Sequence, residues 1–145
     1  MIYTEATKKA LKLCFEAHKE QIDKTGMPYV FHPFHLSEQM SDEETTVCAL
    51  LHDVIEDTDY TLVDLENMGF SKTVLEALAL LTHSEDVPYM DYVKLISENK
   101  IARAVKIADL KHNSDLTRLD TVSEKDIERS KKYAAALEIL LSIDE

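Results

Sequence analysis

A chain of 145 residues matches the commonest size of one domain and can bury a continuous core without disulfide or zinc staples. Two glycines and three prolines are too few for short strands joined by tight turns, so the composition favours long helices and an all-α fold. The formal charge of -12 argues against nucleic acid or anionic membrane as a partner, and a small anionic ligand would need local compensation from a bound cation or converging Lys and Arg side chains.

In chain order, Ala6, Ala10, Leu13, Cys14 and Ala17 recur at spacings of three and four, which predicts an amphipathic first helix over residues 4–21, ending before Gly26 and Pro28. The segment MIYTEATKKA lacks the apolar core of a signal peptide, and no apolar run reaches roughly 18 residues, so the expected location is the cytoplasm. A short second helix is expected from Pro33, a residue favoured in a first turn, through Leu36 to Met40, with His32 just ahead of it. From Asp42 the run DEETTVCALLHDVIEDT puts acids in a first helical turn and then Val47 to Leu51 in succession. A helix apolar on nearly all sides belongs in the middle of a domain. Cys14 and Cys48 lack the pairing of a disulfide framework or zinc knuckle and are read as core.

Thr61 with Asp64, and Ser123 with Asp126, resemble capping boxes, and Gly69 is placed to end the helix between them. Further helices are predicted over 61–68, 72–82, 89–98, 100–118 and 124–142, the last burying Ile127, Ala134, Leu137 and Leu141. No repeat, low-complexity tract or linker divides the chain, so residues 1–145 are read as a single compact multi-helix domain.

His52-Asp53, directly after the apolar run, carries the most chemical information. A buried carboxylate without compensation costs several kcal/mol, so one is kept only where it is paired, hydrogen-bonded or bound to metal. For this pair alone, a salt bridge at a helix end is the simpler reading. On the predicted 100–118 helix, Ala102, Val105, Asp109, His112 and Leu116 fall at steps of three and four, which puts Asp109 on the buried stripe. With His32 these make two imidazoles and two carboxylates, a donor set suited to a divalent manganese, iron or zinc ion. Glu56 follows His52 by four residues and Asp57 follows Asp53 by four, so both acids stand one turn beyond the candidate ligands. Lys106, Lys111 and Arg118 are candidate phosphate partners, with solvated helix cations as the alternative. His35 is expected to be partly exposed, and His18 and His83 to be structural. His112 either holds a ligand in place or makes an ordinary inter-helix hydrogen bond.

The ordered pattern H…HD…D, with AHKEQ from residue 17, KTGMPYVFHP at 24–33, LLHDVIEDT at 50–58 and VKIADLKHN at 105–113, resembles the HD-domain phosphohydrolases. Within them it is similar to the hydrolase domain of RelA/SpoT-type alarmone enzymes and to stand-alone small alarmone hydrolases, over most of the chain. The resemblance implies a manganese ion held by His32, His52, Asp53 and Asp109, with Glu56 and Asp57 assisting hydrolysis. It also implies substrate contacts from Lys24, Thr25 and Tyr29 in the loop after the first helix, and from Asn113. The implied reaction removes the 3′-pyrophosphate of guanosine tetraphosphate or pentaphosphate, by hydrolysis alone because no synthetase domain follows. Two departures stand out: Asp23-Lys24 replaces the family's Arg-Lys pair, whose arginine helps hold guanine, and ADLKHNSDLTRL replaces ADRLHNMRT, bringing in Lys111 and Arg118. They leave open a phosphatase acting on another nucleotide or phosphorylated cofactor, and a non-catalytic nucleotide or metal sensor.

Overall fold

The structure is a computed structural model that describes residues 1–143. Its helices are α1 (Glu5–His18), α2 (Phe31–Glu38), α3 (Glu43–Leu51), α4 (Val54–Asp57), α5 (Leu62–Asn67), α6 (Lys72–Leu81), α7 (Tyr89–Ser97), α8 (Lys100–Asn113) and α9 (Glu124–Leu141), with a 3-10 turn at Leu116–Arg118. Among the described residues the remaining pairing is an isolated antiparallel bridge between Ile22 and Pro28, so the expected all-α class holds. No helix among them is long and apolar enough to cross a membrane.

Local signals explain where the helices start. Thr4 caps α1 by accepting the Thr7 N–H, and Asp42 caps α3 by accepting the Thr45 N–H at 2.8 Å. The capping boxes at Thr61 and Ser123 form as expected. Gly69 adopts a φ of 92° just past the cap of α5, the left-handed turn that ends a helix there.

Helix α3 is the centre of the core: Val47, Cys48, Ala49, Leu50 and Leu51 are at most 1% exposed, and the helix packs against α1, α2, α6 and α8. Cys14 and Cys48 are buried free thiols. Burial pushes the Cys14 thiol up to about 12, so it is an apolar packing group.

Four boundaries differ from the sequence expectation. Helix α1 stops at His18, and α2 already begins at Phe31, with Pro33 inside its first turn. The run from Asp42 is interrupted at His52-Asp53, where Asp53 sits at φ -105° and ψ 0°, between α3 and α4. The predicted 100–118 helix ends at Asn113, because the Asp115 side chain accepts from the Thr117 N–H at 3.0 Å and sets up the 3-10 turn instead. In α9 the buried stripe runs through Ala136 and Leu140, while Ile127 is 43% and Leu141 56% exposed and Ala134 is also exposed. Three consecutive alanines leave the register of that stripe open, and packing on α7 and α8 selects it.

Candidate functional site

The interruption between α3 and α4 shapes the centre of the molecule. His52 lies at the end of α3 and Asp53 at the start of α4, so both side chains leave the backbone where it turns. His32, on the first turn of α2, and Asp109, on the buried face of α8, meet them there. His32 is 4%, His52 4% and Asp109 6% exposed.

The hydrogen bonds fix the state of His52. Its Nδ1–H donates to the Ala49 carbonyl at 2.7 Å, which leaves Nε2 as the bare lone pair. That Nε2 is buried without a hydrogen-bond partner, 3.0 Å from Asp53 Oδ2 and 3.5 Å from Asp109 Oδ1. His32 Nε2 lies 2.9 Å from the same Asp109 oxygen. Ligand atoms of His32, His52 and Asp109 fall within 4.8 Å of one another. Asp53 joins them through Oδ2, which faces His52 and accepts from the Tyr29 hydroxyl. A buried lone pair aimed at two carboxylates is an acceptor facing acceptors, and a cation between them satisfies all three. The residues therefore fit a divalent metal.

The charges around the cluster point the same way. Burial alone would raise Asp109, but Lys106 Nζ, 2.9 Å from Oδ2, together with the hydrogen bond to His32, holds its carboxyl well below the usual range. Burial pushes Asp53 well above that range, and the negative Asp109, Asp57 and Glu56 add to the push. Lys106 is raised despite its own burial, because Asp109 faces it and the Tyr92 and Tyr89 rings lie 5.3 and 5.9 Å away. Asn113 Nδ2 donates to Asp109 Oδ1 at 2.9 Å, so this carboxylate is fixed at both oxygens.

A cavity of about 470 Å³ opens beside the cluster and is bordered by His32, Asp53, Lys106, Asp109 and Asn113. Lys24, Thr25 and Tyr29 enter it from the loop after α1, and Arg118 enters from the 3-10 turn, so these expected contacts converge. Lys111 does not converge with them. It lines a separate groove between α8 and residues 39–45, because it projects from the opposite side of α8.

Glu56 and Asp57 are exposed, and neither borders the cavity. The Glu56 carboxylate accepts the His83 backbone N–H. Both acids nevertheless stand close enough to Asp53 to raise its carboxyl.

His112 makes an inter-helix contact to a candidate ligand: its Nδ1 is 2.7 Å from His32 Nδ1, and the rings stack at 5.0 Å. Burial and the nearby Arg118, His32 and His35 hold its imidazole down at about 4. His35 is exposed, with its ring against His112. His18 is fully buried on Gln21 and Tyr29, and His83 Nε2 donates to the Val87 carbonyl at 2.7 Å while its ring stacks on Tyr92.

Sequence reasoning missed Arg129 and Tyr133 of α9, which border the same cavity. Their spacing of four puts them on one helix face, a signal masked by the attention given to the apolar stripe.

Fold and cluster together define an all-α domain of the HD type with a His/Asp group able to hold a divalent cation. No family model matches the chain. It is 34% identical, over 73% of its length, to the bifunctional (p)ppGpp synthase/hydrolase SpoT of Escherichia coli (strain K12). It is 35% identical, over 65% of its length, to the guanosine-3′,5′-bis(diphosphate) 3′-pyrophosphohydrolase of Aquifex aeolicus. The chain spans 17% and 15% of the length of those two proteins. The solved structure of a metazoan ortholog of SpoT that hydrolyzes ppGpp shares the fold, with a TM-score of 0.76 at 24% identity over 98% of this chain and 88% of that one. In sequence and in fold, the chain is a relative of the RelA/SpoT-type proteins.

Proposed function

We propose that this chain, read as a single HD hydrolase domain acting in the cytoplasm, removes the 3′-pyrophosphate of guanosine tetraphosphate or pentaphosphate. In this reading His32, His52, Asp53 and Asp109 hold a divalent cation, manganese. The observation that carries it is the buried Nε2 lone pair of His52 aimed at two carboxylates. The names of the Escherichia coli, Aquifex aeolicus and metazoan relatives support the substrate.

A bound divalent cation lowers the pKa of a water and polarises a phosphoryl oxygen. The remaining work falls to side chains of this chain. Lys106 and Asn113 fix the Asp109 carboxylate at its two oxygens. The Tyr29 hydroxyl orients Asp53, and its loop brings Lys24 and Thr25 to the cavity. Lys24 and Lys106 offer charge-assisted hydrogen bonds to substrate phosphates. Glu56 and Asp57 handle the proton at the attacking or leaving oxygen, a contribution of about 10²–10⁴-fold.

Incubation with manganese and guanosine tetraphosphate is expected to release pyrophosphate, and an Asp53→Ala variant to release none. Turnover retained by that variant would remove the metal assignment. One observation favours a second reading, a phosphatase acting on another nucleotide: the loop carries an acid, Asp23, in place of the family's base-holding arginine. A nucleotide panel with separate phosphate and pyrophosphate readouts distinguishes the two.

A further inference from the structure

Asp23 does not stand as an isolated reversed charge. Its Oδ1 accepts from the Thr25 N–H at 2.8 Å, the Thr25 hydroxyl at 2.6 Å and the Met27 N–H at 3.1 Å, which fixes the turn of the loop. Its Oδ2 faces the other way and accepts from Arg118 Nη2 at 3.4 Å, across 95 residues of chain. Arg118 Nη1 donates to the His112 carbonyl at 3.0 Å. The guanidinium is thus held from two sides, and its side chain is 25% exposed against 15% for Asp23.

Arginine has five N–H donors in a rigid fork, so two anchors leave others available. Arg118 borders the main cavity, whose lining also includes the apolar side chains of Ile22, Leu116 and Leu119. It also borders, with Asp23, a neighbouring pocket of about 310 Å³, so the ion pair stands in the wall the two share. A guanidinium in a wall that also carries apolar side chains suits the edge of a nucleobase. Guanidinium donors pair with the O6 and N7 acceptors of guanine, whereas adenine presents an amino donor at the first of those positions.

We propose that Asp23 is a positioning residue for base selection: with the His112 carbonyl it pins the Arg118 guanidinium in the cavity wall, where the remaining donors select a purine with a carbonyl at C6 over one with an amino group. The inference rests on the nucleotide hydrolase reading for its substrate. A guanidinium missing from the loop is supplied from the 3-10 turn, and the loop's acid holds it there.

The test compares guanosine 3′,5′-bis(diphosphate) with its adenosine counterpart in the full chain with manganese, for wild type, Asp23→Asn, Asp23→Glu, Arg118→Ala and the Asp23→Asn/Arg118→Ala double variant. Wild type is expected to prefer guanosine, and Asp23→Asn to lose about tenfold of that preference through KM with kcat nearly unchanged, the loss of one charge-assisted hydrogen-bonding geometry. Asp23→Glu restores part of the preference, and the double variant is no worse than Arg118→Ala. An Asp23→Asn change that lowers kcat equally for both nucleotides, or that adds in full to Arg118→Ala, overturns the proposal, because Asp23 would then act on loop structure alone. Should wild type turn over neither nucleotide, calorimetric binding of guanosine and adenosine 5′-diphosphates decides. A guanosine preference that depends on both side chains sustains the positioning role while the hydrolase reading fails, and equal or absent binding of the two overturns it.

Discussion

Lys106 and Asp109, three residues apart on α8, form a 2.9 Å ion pair whose side chains are only 13% and 8% exposed. Removing one partner of a buried pair leaves the other charge uncompensated, which costs about 3–5 kcal/mol. Lys106→Met should therefore lose stability of that order in metal-free protein. Manganese supplies positive charge at the same carboxylate, so the loss should narrow when the ion is present. Urea denaturation with chelator and with manganese measures both. An equal loss in the two conditions means that no cation binds against Asp109.

Glu56 and Asp57 are surface acids whose replacement disturbs no packing. Glu56→Gln and Asp57→Asn are expected to fold normally and to bind manganese as wild type does. At least one should lower kcat by about 10²–10⁴-fold, the usual weight of acid and base work. Wild-type kcat in both variants would remove them from the proton-handling role.

Lys24 and Lys111 make a matched pair of tests, since one enters the cavity and the other lines a different groove. Lys24→Ala should raise KM by roughly tenfold or more, the effect of a lost hydrogen bond from a charged donor. Lys111→Ala should leave KM within about twofold, because a charge outside the cavity acts only through screened long-range attraction. Equal effects from the two would place the substrate elsewhere.

His18 gives a pH dependence with a defined sign. Burial holds its imidazole below the ordinary value of 6.5, against the hydrogen bond to Gln21. The folded chain then binds fewer protons than the unfolded one in acid, so this contribution is complete above about 6.5 and declines as the pH falls through the folded value. Metal-free protein should lose more stability between about pH 7.5 and 5.5 than a His18→Gln variant does. Identical slopes in urea titrations would show that His18 does not titrate there.

Much of this architecture was legible before any coordinates. Periodicity placed α1, α6 and α7 through stripes that one face buries, an unbroken apolar run behind first-turn acids placed α3, and a capping box placed α5. The four candidate ligands were legible as types and order, since histidines and acids beside apolar runs are costly without a partner. The interruption at His52-Asp53 was not, because nothing in that dipeptide breaks a helix; the gain comes from side chains on other elements. The end of α8 turned on one aspartate competing for backbone donors at Thr117, and helical spacing continued through it without a visible fault. The contact between Asp23 and Arg118 spans 95 residues, and no local pattern announces such a meeting.

Helix α8 carries Asp109 and Asn113, and the turn that follows it carries Arg118. The helix is consequently a ruler: at about 1.5 Å per residue, its pitch sets how far the Arg118 guanidinium stands from the Asp109 carboxylate. One residue inserted between Asp109 and Asn113 would rotate everything downstream by about 100° and carry the amide off the carboxylate it steadies. A change of length after Ser114, where the chain has already left the rod, would instead alter the reach of the arginine and leave Asp109 and Asn113 in register.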